Sequence, residues 1–238
     1  MILLTGFEPF NGATMNPSWV AAQSAADQLN AQGIATAAIE LKCVFGESAS
    51  QLKAAISTHN PDVVMCVGQA GGTKAIRVER VAVNLDDAPI PDNAGNQPID
   101  IPVVQNGPAA YFSGLPVKAL AQAIRDSGIP AVVSASAGSY VCNHVFYSLM
   151  HQIQEVPHLR GGFIHVPLAT EQLSTEQLST EQLSPEQLEP EQGASTQSGT
   201  NNTSPSLPLE SISAALVTAV HTLVSGNSEL HYPAGSTH

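Results

Sequence analysis

The sequence contains few basic residues, and this scarcity excludes several functions. Its 238 residues include 8 Lys and Arg against 20 Asp and Glu, so the formal net charge is -12 at pH 7. A protein that binds a phosphate backbone or an anionic membrane surface needs positive charge to complement that of its partner. The charge balance therefore argues against nucleic-acid and membrane partners.

The chain also lacks long apolar runs and a metal-binding pattern. No stretch reaches the ~20 apolar residues that a membrane-spanning helix needs. The first residues lack the basic start and long apolar stretch of a signal peptide. The three cysteines, Cys43, Cys66 and Cys142, lie far apart and do not have metal-ligand spacing. We therefore expect a cytoplasmic protein with reduced thiols and no metal.

Strand-like and helix-like patterns alternate along the chain and predict its fold class. The predicted strands are Met1–Phe7, Ile34–Val44, Asp62–Gly68, Ile76–Asn84, Ile129–Ala137 and Gly162–Pro167. The predicted helices begin at Asn16-Pro17 and then cover Glu47–His59, Leu115–Asp126, Cys142–Val156 and Leu209–Val224. A long irregular segment, Asp86–Tyr111, interrupts the alternation. The pattern predicts one α/β domain over residues 1–238, a three-layer α/β/α sandwich around a largely parallel or mixed sheet.

Residues 170–206 differ in kind from the rest of the chain. Thr-Glu-Gln-Leu-Ser occurs three times from Thr170, which places leucines five residues apart. Neither a helix nor a strand brings residues at this spacing to one face, since a helix turns by ~100° per residue and a strand alternates its faces. The segment holds six Glu and no Lys or Arg, half of the net charge. We interpret it as a low-complexity, mobile insert.

Cys142 begins a helical pattern just after a predicted strand, and two interpretations of it are open. Apolar residues follow it at helical spacing, so it can be a small core residue on a buried face. Periodicity alone favours this interpretation, because free cysteine is among the most buried residue types. Its place in the first helical turn also suits a nucleophile. Unpaired N–H groups and the helix dipole there favour a thiolate, can lower its pKa and can hold an oxyanion.

A cysteine nucleophile needs a base, and His165 has a suitable place near the end of an apolar strand. The alternative is a core histidine whose ring bonds to the backbone. His144 is nearer in sequence, but two residues along a helix direct it away from Cys142. Glu79 could orient the histidine, or it could form an ordinary ion pair with Arg77 or Arg80.

A nucleotide site is weakly supported. The glycine-rich stretch Gly68–Gly72 does not match G-x-G-x-x-G, and Lys74 follows Thr73 rather than a glycine, so the phosphate-loop pattern fails as well. We therefore expect no cofactor. A nucleotide-binding α/β module is kept only as a minor hypothesis.

Seven stretches, in order along nearly the whole chain apart from the insert, carry a family resemblance. They are Thr5-Gly6-Phe7-Glu8-Pro9-Phe10, Asn16-Pro17-Ser18-Trp19, Val67-Gly68-Gln69-Ala70-Gly71-Gly72, Glu79-Arg80-Val81-Ala82-Val83-Asn84, Ile90-Pro91-Asp92-Asn93, Val141-Cys142-Asn143-His144 and Gly162-Phe163-Ile164-His165-Val166-Pro167. Together they resemble pyroglutamyl peptidase type I, also called pyrrolidone-carboxylate peptidase, a family of cysteine peptidases.

The resemblance implies removal of an N-terminal pyroglutamyl residue from peptides through a thioester. Cys142 would match the nucleophile, His165 the general base and acid, and Glu79 the third member of the triad. The substrate-binding positions that it implies are Phe7, Phe10, Asn16, Gln69, Ile90, Tyr140 and Val141. Without the resemblance, Phe7 and Val141 would be read as core residues and Asn16 as a helix cap. A homo-oligomer is compatible with the sequence, which does not fix the number of subunits.

Two positions depart from the family pattern. Thr73 follows the glycine loop and Pro89 precedes Ile90, whereas the family usually has Arg at both. An alternative function is therefore a catalytically impaired pyroglutamyl-binding protein on the same scaffold.

Overall fold

The computed structural model of this protein describes residues 1–156, 158–173, 204–226 and 228–235. The strands are β1 Ile2–Phe7, β2 Thr36–Leu41, β3 Val63–Gln69, β4 Ile76–Glu79, β5 Val81–Val83, β6 Ala110–Phe112, β7 Ala131–Ser134, β8 Arg160–Val166, β9 Leu168–Ala169 and β10 Ser206–Leu207. The helices are α1 Pro17–Ala31, α2 Glu47–His59, α3 Val117–Asp126, α4 Val141–Ile153 and α5 Leu209–Val224.

Six strands form the central sheet, in the order β2-β1-β3-β8-β4-β7. All neighbouring pairs are parallel except β4 and β8, which run antiparallel. Two short pairs lie outside this sheet, an antiparallel β5–β6 pair and a parallel β9–β10 pair. The central sheet is therefore largely parallel, with one antiparallel pairing near one edge.

Helices cover both faces of the sheet, because alternate residues of its buried strands are apolar on both sides. In β3, Met65 and Val67 belong to one apolar cluster, which also includes residues of α1, α3 and α5. Val64 and Cys66 belong to a second cluster, which includes residues of α2 and α4. The predicted three-layer α/β/α fold around a largely parallel sheet is confirmed.

The start of α1 is as the sequence predicts, whereas β2, β7 and α4 end up to three residues from their predicted bounds. Asn16 caps α1, since its Oδ1 accepts a hydrogen bond from the Ser18 N–H at 3.1 Å, and Pro17 occupies the first turn. The predicted single strand Ile76–Asn84 forms two strands in the structure, which are separated at Arg80. Its first half stays in the central sheet as β4, and its second half leaves to pair with β6.

The predicted irregular segment is held by specific contacts. Asn84 Oδ1 accepts from the Val104 N–H at 2.9 Å, and Asn84 Nδ2 donates to the Val104 carbonyl at 2.9 Å. Asp86 and Ile101 form an isolated antiparallel bridge. These long-range bonds supply partners for a backbone that has little regular structure of its own.

The predicted insert lies mostly outside the described residues, which stop at 173 and resume at 204. Its ends differ from the expectation: residues 170–173 are helical, and Ser206 begins β10, which pairs with β9.

Within the described parts of the chain, no helix is both long and apolar enough to cross a membrane.

Candidate active site

Cys142 lies in the first turn of α4, where the strand β7 and its following loop have ended. The helix is anchored by its apolar stripe, of which Val145, Phe146 and Leu149 are fully buried. Cys142 itself is only partly buried and packs at the margin of the same cluster. The helix thus uses the stripe as core and presents the thiol at its N-terminal end.

The Cys142 sulfur lies directly over Gly68 of β3. A Cβ atom added at Gly68 would be 2.7 Å from Cys142 Sγ and 2.8 Å from the Phe163 ring. In the pairing of β3 with β8, Gly68 is the partner of His165. Because Gly68 has no side chain, the Cys142 sulfur can occupy this space, beside the strand that carries His165.

His165 is held by a buried carboxylate. Its Nδ1 bonds to Glu79 Oε1 at 2.9 Å, and Glu79 is fully buried. Because a carboxylate only accepts hydrogen bonds, it assigns the ring proton to Nδ1 and leaves Nε2 as an acceptor. The ring packs against Phe163, with 4.8 Å between centroids. The carboxylate and the Phe163 ring therefore fix the position of the imidazole.

Glu79 also forms one of the two ion pairs that were the alternative to a role in orienting the histidine. Arg77 Nε lies 3.6 Å from the same Oε1 atom, so the carboxylate contacts both the histidine and a cation. Among the described residues, Glu79 Oε2 has no hydrogen-bond partner. Arg80, the other predicted ion-pair partner, does not pair with Glu79 in the structure.

A cleft of about 400 Å³ opens beside these groups. It is lined by Gln69, Ala70, Arg77, Ser136, Ala137, Gly138, Tyr140, Cys142 and His165. Two of the residues predicted to bind substrate, Gln69 and Tyr140, are among them. Gln69 Oε1 is buried and has no hydrogen-bond partner in the described part of the chain, so it is available to a donor on a bound molecule.

The other five predicted substrate-binding residues do not line this cleft. Phe7 and Val141 are buried in the apolar cluster beneath α4. Asn16 caps α1, and its amide donates to the Glu8 carbonyl at 3.0 Å. The Phe10 ring packs against the ring of Tyr140, a cleft residue, with 6.3 Å between centroids. Ile90 is half-buried in the irregular segment.

The protonation of the thiol differs from the sequence expectation. Burial raises the pKa of the Cys142 thiol well above its ordinary value, and the negative charge of Glu79 adds to the effect. Burial raises the pKa of Cys43 and of Cys66 to about 12. This direction is opposite to the lowering that the helix N-terminus was expected to favour. A thiol whose pKa is raised depends on a base to ionise it.

Arg77 belongs to the site but was not identified from the sequence as functional. Arg77 lines the cleft and donates to Ser134 Oγ at 2.8 Å. His144 bonds Asp86 Oδ2 through Nδ1 at 2.8 Å and accepts from the Gly46 N–H through Nε2 at 3.1 Å. It therefore fastens α4 to two loops and is directed to Asp86, as its spacing from Cys142 indicates. Side chains alternate between the two faces of a strand, so Arg77 and Glu79 share one face of β4. This alternation is the sequence signal that could have identified Arg77.

Both departures from the family pattern lie outside the helices and strands. Thr73 Oγ1 accepts from the Ala75 N–H at 3.0 Å within its own loop, and Pro89 is exposed. Neither residue lines the cleft, whereas Arg77 supplies a cation there.

Cys142 and His165 line one cleft, and His165 bonds to a buried carboxylate; these are the groups that a cysteine hydrolase uses. No group of three or more His, Cys, Asp or Glu residues that could hold a metal occurs in the described ranges. The fold and site together define a nucleophilic hydrolase of the α/β class.

Comparisons with known proteins identify the family. Residues 1–188 match the family model described as pyroglutamyl peptidase. The pyrrolidone-carboxylate peptidase of Streptomyces coelicolor is 60% identical over 173 residues, 72% of this chain and 80% of that protein. The enzyme of the same name from Escherichia fergusonii is 45% identical over 237 residues, 100% of this chain and 99% of the relative. The crystal structure of pyroglutamyl peptidase I from Bacillus amyloliquefaciens superposes with a TM-score of 0.81 at 41% identity, covering 98% of both chains. The chain belongs to the pyroglutamyl peptidase family.

Proposed function

We propose that this protein is a cysteine exopeptidase that removes N-terminal pyroglutamyl residues from peptides. The single observation that supports it most is the hydrogen bond from His165 to Glu79, with Cys142 Sγ seated over the neighbouring Gly68. Family membership supplies the substrate class.

The first half of the reaction forms a thioester. His165 Nε2 accepts the Cys142 proton while the sulfur attacks the carbonyl carbon of the pyroglutamyl residue. The first N–H groups of α4 have no partners within the helix, so they can donate to the oxyanion that develops. The protonated His165 then gives its proton to the leaving amine, and the C–N bond breaks.

The second half releases the acyl group. Water attacks the thioester carbonyl while His165 again accepts a proton, and the proton returns to the Cys142 sulfur as the C–S bond breaks. The Glu79 carboxylate holds the imidazole through Nδ1 and stabilises its positive form in both halves. Gln69 and Tyr140, which line the cleft, are the residues placed to contact the neutral lactam ring.

The experiment is release of a fluorophore from a pyroglutamyl amide. The parent protein should turn the substrate over, and Cys142→Ala should abolish turnover. Cys66→Ala is the matched control, because it removes a fully buried thiol that lies outside the cleft, and it should retain most activity. Absence of turnover by the parent protein would refute the proposal, as would full turnover by Cys142→Ala.

The alternative, an impaired pyroglutamyl-binding protein, is not favoured by any described contact or by the comparisons. Binding of pyroglutamate with a rise in melting temperature, but without cleavage, would support it instead. A cytoplasmic location and a homo-oligomeric state stay predictions.

A further inference from the structure

A second cavity adjoins the catalytic cleft. Its volume is about 750 Å³, against about 400 Å³ for the cleft, and it lies between the ends of β4 and β7 and residues 232–235. Arg77 and Ser136 line both spaces, so the two cavities adjoin at these residues.

The second cavity concentrates the few cations of the chain. Arg77, Arg80 and Arg125 line it, three of only eight Lys and Arg residues in a chain of net charge -12. None of its described lining residues is Asp or Glu. A concave surface with one sign of charge focuses the potential and attracts ions of the opposite sign.

The three arginines differ in how far their donors are already used. Arg125 is committed, because it donates to the Ala131 carbonyl at 3.0 Å, to Gln122 Oε1 at 2.7 Å and to the Tyr232 hydroxyl at 2.9 Å. The last of these bonds attaches Tyr232, which lines the cavity, to α3. Arg77 bonds to Ser134 and faces Glu79.

Arg80 is different, since its guanidinium has no hydrogen bond or ion pair to any described residue. Its backbone is fixed on both sides: the N–H donates to the Ser134 carbonyl at 2.9 Å, and the carbonyl accepts from the Ser113 N–H at 2.8 Å. The side chain is half-buried. An unpaired guanidinium on a fixed backbone, in a cavity, is suited to bidentate recognition of a carboxylate.

The chemistry of the substrate indicates what enters this cavity. The pyroglutamyl ring closes the N-terminal end of the peptide, so the substrate can continue from the cleft only on its C-terminal side. Each further residue spans ~3.3–3.6 Å when extended. A cavity that shares a wall with the cleft is therefore within reach of the first few residues of the leaving peptide.

We propose that the cavity at Arg80 binds a carboxylate of the leaving peptide, so that the enzyme prefers pyroglutamyl peptides with an acidic group close to the scissile bond. This inference rests on the proposed function. The carboxylate can come from an Asp or Glu side chain or from the C-terminal α-carboxylate of a short peptide.

The test compares kcat/KM for matched peptides. One arm uses C-terminally amidated peptides with Asp or Asn at the first, second or third position after pyroglutamate. The other arm uses neutral tripeptides with a free or an amidated C-terminus. The acidic member of at least one pair should be cleaved about tenfold faster, the scale of one charge-assisted hydrogen bond. The responding arm identifies the source of the carboxylate.

Two variants assign the preference to the cavity. Arg80→Gln should reduce the acidic-to-neutral ratio to about one, and because the ratio is taken within each variant, a general loss of activity does not affect it. Arg160→Gln is the matched control, since Arg160 is exposed and lines neither space, and it should keep the parent ratio. Raising NaCl from about 0.05 M to about 0.5 M should lower the parent ratio.

The outcomes separate this inference from the proposed function. If the parent cleaves a pyroglutamyl fluorogenic amide but shows equal kcat/KM for both members of every pair, the inference is wrong and the function stands. An unchanged ratio in Arg80→Gln also overturns it. If the parent cleaves no pyroglutamyl substrate, the proposed function itself fails.

Discussion

Gly68→Ala tests whether the Cys142 sulfur lies where the structure places it. The new methyl group would be 2.7 Å from Cys142 Sγ and 2.8 Å from the Phe163 ring. Ordinary contact requires ~3.5–4.0 Å, so the sulfur, the ring or both must move by about 1 Å. Gly68 does not have a positive φ, so alanine brings no backbone strain and only this contact changes.

The magnitude follows from the two groups that must move. A displacement of about 1 Å at a reacting atom costs about 100-fold in rate, so kcat/KM should fall by about that factor. Overpacking against the Phe163 ring should lower the free energy of unfolding by about 1–3 kcal/mol. The first quantity is measured with the fluorogenic pyroglutamyl amide, and the second by urea denaturation.

A matched glycine and a double variant make the test specific. Gly71→Ala is the control, because nothing lies within 4 Å of its added Cβ atom and its φ is not positive. It should change neither quantity appreciably. Adding Cys142→Ala to Gly68→Ala removes the sulfur and should recover part of the lost stability. Parent-like kcat/KM in Gly68→Ala, or no recovery in the double variant, would refute the placement of Cys142 over Gly68.

Three further predictions concern Glu79, Cys142 and the buried thiol of Cys66. Glu79→Gln should lower kcat/KM about 100-fold, because an amide cannot stabilise the positive imidazole of His165; retention of the parent value, with the fold intact by circular dichroism, would contradict this role. Because burial raises the pKa of Cys142, its alkylation by iodoacetamide should accelerate steadily from about pH 7 to about pH 9, and a plateau near neutral pH would show a preformed thiolate. The folded-state pKa of Cys66, about 12 against an ordinary 9.0, means that between these values the unfolded chain binds fewer protons. Stability should therefore fall as pH rises, by about 1.4 kcal/mol per unit for that thiol. Cys66→Ala should reduce this slope in urea denaturation, and an unchanged slope would count against the raised pKa.

The elements themselves could be predicted from local pattern. The bounds predicted from the sequence for α2 and α5 are the same as those in the structure. These segments are bounded by residues whose preferences are local: Asn60 ends α2 in the left-handed conformation, and Asp or Asn tolerate that conformation best after glycine. Where local preference and tertiary packing agree, a sequence pattern is sufficient.

The order of the strands could not be predicted in the same way. Glu79 and His165 are 86 residues apart, and they meet only because β4 runs antiparallel beside β8. Helical or strand periodicity contains no information on which strand is next to which. The sequence resemblance paired the two residues, and the sheet order gives the physical reason for their contact.

The protonation of Cys142 was also beyond the sequence, because two local effects oppose each other there. The helix N-terminus favours the thiolate, and burial disfavours it. The position in the first turn is visible in the pattern, but the extent of burial depends on how β3 and α4 pack. Burial raises the pKa of this thiol, so in the proposed reaction a base, His165, removes its proton.

The alternation of β4 connects the catalytic site with the second cavity. Ile76 and Val78 face one apolar cluster, while Arg77 and Glu79 share the opposite face. One strand thus supplies the carboxylate that orients His165 and a cation that lines both spaces. A substitution at Arg77 would disturb Glu79 and the carboxylate site together, and it could not distinguish a loss of catalysis from a loss of selectivity. Arg80 lies just beyond the end of β4 and has no bond to the triad. It is therefore the position at which the preference for acidic peptides can be changed while the triad keeps its contacts.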